Sequence, residues 1–373
     1  MVSVNRSSRR TFLNAGAGAA VALGAAGSPA SLARAASSPN RSVVCLYLIG
    51  GNDSNNMVVP IDEAAYSQYA AARGALAIAK SDLLPLSGVG ESARYGFHPS
   101  LPGLQDLYNQ NALAVLANVG RTIESGVPKD LFQHNSMQVR FFRDGYVGIP
   151  WATPAADSGG SYRALMLQHS VTLSSPEVDP IQHRTFAASI ASRRQEFAMP
   201  QTRIGKRLGQ VLAAMQSGSF RRKAFLVPME GFDTHVQQME RQASLYRDMD
   251  DAVVAFYSAL RQMGTADSVT LYTDSEFSRA LAPNPVGGTE PGWGGHHFIL
   301  GGSTLGGRIY GSFPSMRIGG ADDAIGNGTW IPSTSNAQYA ATLAAWYGAD
   351  LRNVPEYAGT LDASRPRLDF LAG

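Results

Sequence analysis

A series of short apolar runs, each delivered into a loop of Gly, Asp or Asn with helical patterns between them, constrains the fold of this chain more than any other feature. The first run, residues 42–49, is β-branched, aromatic or aliphatic nearly throughout and ends on Gly50-Gly51-Asn52-Asp53. A strand with no apolar–polar alternation is buried on both faces, as in a parallel sheet lying between helix layers. Runs at 112–118, 223–229, 268–273 and 297–301 repeat the pattern. Helical patterns occupy 99–109, 130–143, 186–216, 236–263 and 336–347. Strands separated by helices imply an α/β fold: a mostly parallel central sheet with helices on both faces. The stretch 145–180, rich in Pro, Gly and Ser, is expected to form a cap or lid insertion. With no linker and no internal repeat, residues 36–373 are expected to form a single domain.

The amino terminus reads differently. Ser8-Arg9-Arg10-Thr11-Phe12-Leu13 precedes a weakly apolar run over 15–27 and a small-residue site at Ala33-Arg34-Ala35. The run is too short and glycine-rich to span a bilayer. Paired arginines before Phe-Leu mark the twin-arginine route, so residues 1–35 are expected to be a signal peptide read by the twin-arginine translocase. The mature chain of about 335 residues is then periplasmic or extracellular, with no stable membrane span. Charged residues are 16% of the chain and the net charge is +2, which excludes a nucleic-acid footprint. The single cysteine, Cys45, lies inside the first apolar run and reads as a small packed hydrophobe.

In open parallel sheets ligands gather beyond the carboxyl ends of the strands. There this chain places Asp53, then Gly231-Phe232-Asp233-Thr234-His235, then Asp274-Ser275-Glu276-Phe277-Ser278-Arg279, while Gly292-Trp293-Gly294-Gly295 delivers His296-His297. Carboxylate and imidazole from several strand ends suit a divalent ion, which takes Asp or Glu oxygen and His nitrogen. Each residue also has a structural reading. Asp53 can close an Asx turn beside Asn52, and Asp233 can cap the helix after it. Alternation sends His296 and His297 to opposite faces, so at most one is a natural ligand. Glu276 can pair with Arg279 three residues on. His134 can be a hydrogen-bonded core histidine, and His98 before Pro99 a helix-start residue.

The strings Gly50-Gly51-Asn52-Asp53-Ser54, Asn56-Met57-Val58-Val59-Pro60, Phe97-His98-Pro99, Leu131-Phe132, His134-Asn135, Gly231-Phe232-Asp233-Thr234-His235, Ser275-Glu276-Phe277, Trp293-Gly294-Gly295-His296-His297 and Gly307-Arg308-Ile309-Tyr310-Gly311 together resemble the domain-of-unknown-function 1501 family. The resemblance runs from about Ser42 to the carboxyl terminus. It implies a fold like that of the alkaline-phosphatase and sulfatase superfamily, with one or two divalent ions at the strand ends. Zinc, manganese, magnesium or calcium would be the cofactor. By this resemblance Asp53 is the first-strand metal aspartate, Asp233 and His235 a second ligand pair, and Glu276 with His296 and His297 the remainder. The implied activity is that of a metal-dependent hydrolase acting on a phosphate or sulfate ester, with a small-molecule or glycan ester as ligand. Asn52, Asn56 and Arg279 would then hold substrate.

The sequence departs from the family pattern at two places. Glu290-Pro291 stand where relatives carry Asp-His, and Gln133 stands where they carry Ser before His134. Ser136, beside His134, remains as candidate nucleophile, and the pair is the expected catalytic set. The lost histidine favours the alternative of a non-catalytic periplasmic binding or envelope-assembly protein on the same fold.

Overall fold

The computed structural model describes residues 41–88, 90–121, 195–216, 223–347 and 368–372. The signal segment, the helical run at 130–143 with His134 and Ser136, and the cap expected at 145–180 lie outside the described residues.

In chain order the strands are β1 (Ser42–Ile49), β2 (Val58–Pro60), β3 (Leu84–Pro85), β4 (Tyr95–Phe97), β5 (Leu113–Gly120), β6 (Lys223–Glu230), β7 (Val269–Ser275), β8 (Arg279–Pro283), β9 (Thr289–Pro291), β10 (Gly295–Leu300), β11 (Ile309–Tyr310) and β12 (Thr334–Ser335). The α-helices are α1 (Glu63–Arg73), α2 (Pro102–Asn109), α3 (Arg203–Gln216), α4 (Gln238–Gln262) and α5 (Asn336–Tyr347). The main sheet runs β11-β5-β10-β7-β1-β6, with β12 also beside β5. Its pairings are parallel except for β10, which is antiparallel to both β5 and β7. The α/β fold with a mostly parallel central sheet is therefore the fold of this chain.

The absence of alternation in β1 is explained by its two packed faces. Val44, Leu46 and Leu48 join a core with Leu208 and Val211 of α3 and Met249, Val253 and Phe256 of α4. Val43, Cys45 and Tyr47 face the other way, into a core with Tyr339, Leu343 and Trp346 of α5. Along α4 the buried residues Tyr246, Met249, Val253, Phe256 and Leu260 recur at three- and four-residue steps, the stripe that one helix face turns to a sheet.

Local chemistry sets several boundaries away from the sequence expectation. Of the pattern over 186–216, residues 195–202 are not helical and the helix begins at Arg203, where Thr202 Oγ1 accepts from Gly205 N at 3.2 Å in the manner of an N-cap. α2 begins at Pro102 rather than 99, because proline fits the first helical turn without needing an amide partner. Helix α1, capped by Asp62 accepting from Ala65 N at 3.1 Å, and the small sheets β2-β4-β3 and β8-β9 were not legible as runs. Strands of two to five residues carry too little periodicity to register. Among the described residues no helix is long and apolar enough to cross a membrane.

Candidate functional site

The carboxyl end of β1 delivers the loop Gly50-Gly51-Asn52-Asp53. Gly50 and Gly51 have φ of 114° and 84°, and a Cβ on them would sit 2.2 Å from Asp233 N and 2.3 Å from the Phe277 ring. Both glycines are thus required to bring the β1, β6 and β7 ends together. The Asp53 carboxylate lands in a filled environment. Arg73, at the last residue of α1, forms a fully buried ion pair with its Oδ2. Gln238 Nε2 donates to the same oxygen, and Asn55 N donates to Oδ1 at 3.2 Å. The Arg73 guanidinium also donates to Asn56 Oδ1 at 3.0 Å and to the Leu281 carbonyl at 2.9 Å.

A second arginine organises the next loop. Arg279, fully buried, donates to the carbonyls of Gly51, Phe232 and Gly50 and, at 2.7 Å, to Asp233 Oδ1. His235 Nε2 lies 3.1 Å from Asp233 Oδ1, and its Nδ1 lies 3.4 Å from Glu290. Asp233 does not cap α4: the residue before that helix is Gln237, with no side-chain cap. Glu276 does not take Arg279 as its ion partner, since that guanidinium goes to Asp233.

The third group lies where β10 reverses direction. Because β10 is antiparallel to β7, its first residues come to the carboxyl end of β7. Stepping back along β10 and forward along β7 from the Ile299–Tyr272 pair brings His297 alongside Asp274. The two histidines diverge as strand alternation requires. His296 packs on Phe313 at 4.3 Å and His297 stacks on Tyr339 at 5.9 Å. Asp274, Glu276, His296, His297, Ser54 and Asn336 line one cavity of about 20 Å³, room for about one water molecule or ion. Asp274 Oδ2, His297 Nδ1, Asn336 Oδ1 and His296 Nε2 are buried without a hydrogen-bond partner. Burial pushes the Asp274 carboxyl well above the usual carboxylate range. Burial holds His297 neutral, with its pKa lowered to about 4. For His296 burial, then the charge of His297, lowers it to about 3.

These placements correct the expected ligand set. Asp53, Asp233 and His235 do not converge with Glu276 and the histidines around one ion. They form separate groups, and among the described residues no three His, Cys, Asp or Glu stand together as a metal site. Asp53 and Asp233 each face an arginine instead, Asp53 fully buried against Arg73 and Asp233 half-exposed beside Arg279. Asn52, Asn56 and Arg279 are not free to hold substrate either. Asn52 Oδ1 accepts from Tyr246 Oη at 2.8 Å, and Asn56 bonds Tyr69, Arg73 and the Leu76 carbonyl. The donors that do suit a cation are Asp274, His297 and Asn336, orphaned around a void of ionic size. Asp274 stood in the strand-end string from the start, but alternation from Tyr272 puts it on the same face as Glu276 and does not choose between them. Asn336, opening α5 against those strand ends, had no signal in the sequence.

This is the architecture of an α/β protein with its polar groups gathered at the carboxyl ends of a mostly parallel sheet. Residues 188–344 match the family described as "Protein of unknown function (DUF1501)", which the motifs resemble. No curated protein matches the chain. Among solved structures it is similar to the C-terminal periplasmic domain of EcEptC from Escherichia coli in complex with Zn, at 10% identity over 84% of each chain and a TM-score of 0.36. The phosphonate monoester hydrolase of Agrobacterium radiobacter is 10% identical, with 87% of this chain and 79% of that one covered and a TM-score of 0.35. The alkaline phosphatase from the Antarctic bacterium TAB5 is 12% identical, with 73% of this chain and 94% of that one covered and a TM-score of 0.25. Overlaps this low carry no weight for the chemistry of the site.

Proposed function

We propose that this chain is an exported, metal-dependent hydrolase-like protein acting on a phosphate or sulfate ester, and that its divalent ion is held by Asp274, His297 and Asn336. One observation carries the reading: three buried residues from β7, β10 and α5, each with a side-chain oxygen or nitrogen without a partner, line one void of about 20 Å³. Unsatisfied buried polar atoms cost free energy, so such a group is retained for something that it binds. Asp274 supplies the negative charge when the ion displaces the proton that burial favours on it, and Asn336 supplies a neutral oxygen. His297 is neutral at pH 7 and so keeps a lone pair. When bound, the ion supplies Lewis acidity toward an ester oxygen. Ser136 is the proposed nucleophile and His134 its partner, both outside the described residues. Export through the twin-arginine translocase, with cleavage after Ala35, delivers the mature chain to a small-molecule or glycan ester.

A specific observation favours a second reading, a non-catalytic binding or envelope-assembly protein on this fold. Arg73 and Arg279 occupy the carboxylates that a two-ion site would use, and a single ion cannot clamp both attacking and leaving oxygens. Assays with aryl phosphates and aryl sulfates, with zinc, manganese, magnesium or calcium added, separate the two. The hydrolase reading expects cation-dependent turnover, below the ordinary range of about 1–10³ per second, that is abolished in Asp274→Asn. No cation-dependent turnover of either ester class would leave the binding reading. Export is tested by amino-terminal sequencing, and an uncut Met1 end or normal export of Arg9→Lys with Arg10→Lys would refute it.

A further inference from the structure

His296 differs from its neighbours in what it has left to offer. Where the β5–β10 register slips by one residue between Gly295 and His297, the backbone of Asn118 turns to φ 49°. Its amide donates not along the ladder but to the His296 ring, at Nδ1 and 3.0 Å. A neutral imidazole carries one proton, and a ring nitrogen that accepts cannot be the one that bears it. The proton is therefore on Nε2. His296 is 1% exposed, lines the cavity, and its Nε2 has no partner. The backbone N of the same residue is fixed by donation to Ser54 Oγ at 2.8 Å, and the ring by contact with Phe313. A protonated ring nitrogen has no lone pair for a cation, so this residue is not the metal ligand that its motif suggested.

We infer that His296 is a fixed hydrogen-bond donor, giving its Nε2–H to an oxygen of an oxyanion bound at the rim of the cavity, against the ion that Asp274, His297 and Asn336 hold within it. The inference rests on the cation reading above for the ion alone; the tautomer stands without it. The other orphaned atoms of the cavity fit this pairing. Asp274 and Asn336 present oxygens, which gather positive charge, and a donor among them selects an acceptor that shares the cation. Phosphate and sulfate share that chemistry, three or four equivalent oxygens with spare lone pairs.

Two measurements test it. Long-range proton–nitrogen NMR on the mature protein, with His296 assigned by its loss in His296→Gln, should show Nε2 protonated and Nδ1 bare. A protonated Nδ1 would overturn the inference directly. Calorimetric titration of inorganic phosphate and of sodium sulfate into metal-loaded wild type, His296→Leu and His296→Gln, with metal content measured on each sample, reads the donor role. Expected is binding of at least one anion, weakened roughly 10- to 100-fold in His296→Leu and largely recovered in His296→Gln, with metal content equal in all three. Loss of metal in His296→Leu, anion affinity independent of residue 296, or no anion binding by metal-loaded wild type would each overturn it. Wild type without metal but with the expected tautomer would count against the cation reading alone.

Discussion

Replacing Arg73 with Met keeps the aliphatic stem and removes the guanidinium, leaving the Asp53 carboxylate buried with no counter-charge. Both side chains are fully buried, and breaking such a pair by removing one partner costs about 3–5 kcal/mol. The same change strips donors from Asn56 Oδ1, at 3.0 Å, and from the Leu281 carbonyl, at 2.9 Å, each adding about 1 kcal/mol. Arg73→Met should therefore cost about 5 kcal/mol or more. Asp53→Leu strands the guanidinium and should cost nearly as much. The double variant leaves no uncompensated charge, so its cost should fall short of the two single costs together by about 3 kcal/mol, the range seen for groups in direct contact. Urea unfolding of the mature chain, with constant m across the four proteins, measures the cycle. Costs that add within about 0.5 kcal/mol, or a single Arg73→Met cost below about 1 kcal/mol, would refute the claim that arginine has taken the place of an ion at the end of β1.

Two further outcomes follow from the same geometry. Gly51→Ala should lower thermal stability sharply, because the residue sits at φ 84° and its new methyl would lie 2.3 Å from the Phe277 ring; an unchanged melting temperature in calorimetry would show that the loop does not need the glycine. Burial, then the charge of Arg247, lowers the His98 pKa from 6.5 to about 4, so below pH 6.5 the unfolded chain binds a proton that the folded chain refuses, and stability should drain away between pH 6.5 and about 4 by up to ~3 kcal/mol. His98→Asn, which keeps an acceptor near Ser100 N, should flatten that part of the profile, and an unaltered slope in urea titrations at pH 4.5 and 7 would contradict the assignment.

How far the sequence revealed these features depended on the range of the interactions. β1 was legible because a strand packed on both faces must be apolar at every step, and α5 was read at its observed bounds because Tyr339, Leu343 and Trp346 repeat at helical spacing. The strand-end acids and histidines were also placed at the correct edge of the sheet. What they bond to was not legible. Arg73 meets Asp53 only because a helix that no periodicity marked ends beside the first strand, and Arg279 passes over its near neighbour Glu276 to reach Asp233. Likewise, the reversal of β10 that sets His297 next to Asp274 is a property of the sheet, invisible in a run of six residues.

Metal stoichiometry, measured by mass spectrometry on purified mature protein equilibrated with zinc, manganese, magnesium and calcium in turn, locates the ion. One ion per chain is predicted for wild type, retained in Asp53→Asn and His235→Ala and lost in Asp274→Asn and His297→Leu. Ion loss in Asp53→Asn with retention in Asp274→Asn, or wild type binding none of the four, would contradict it.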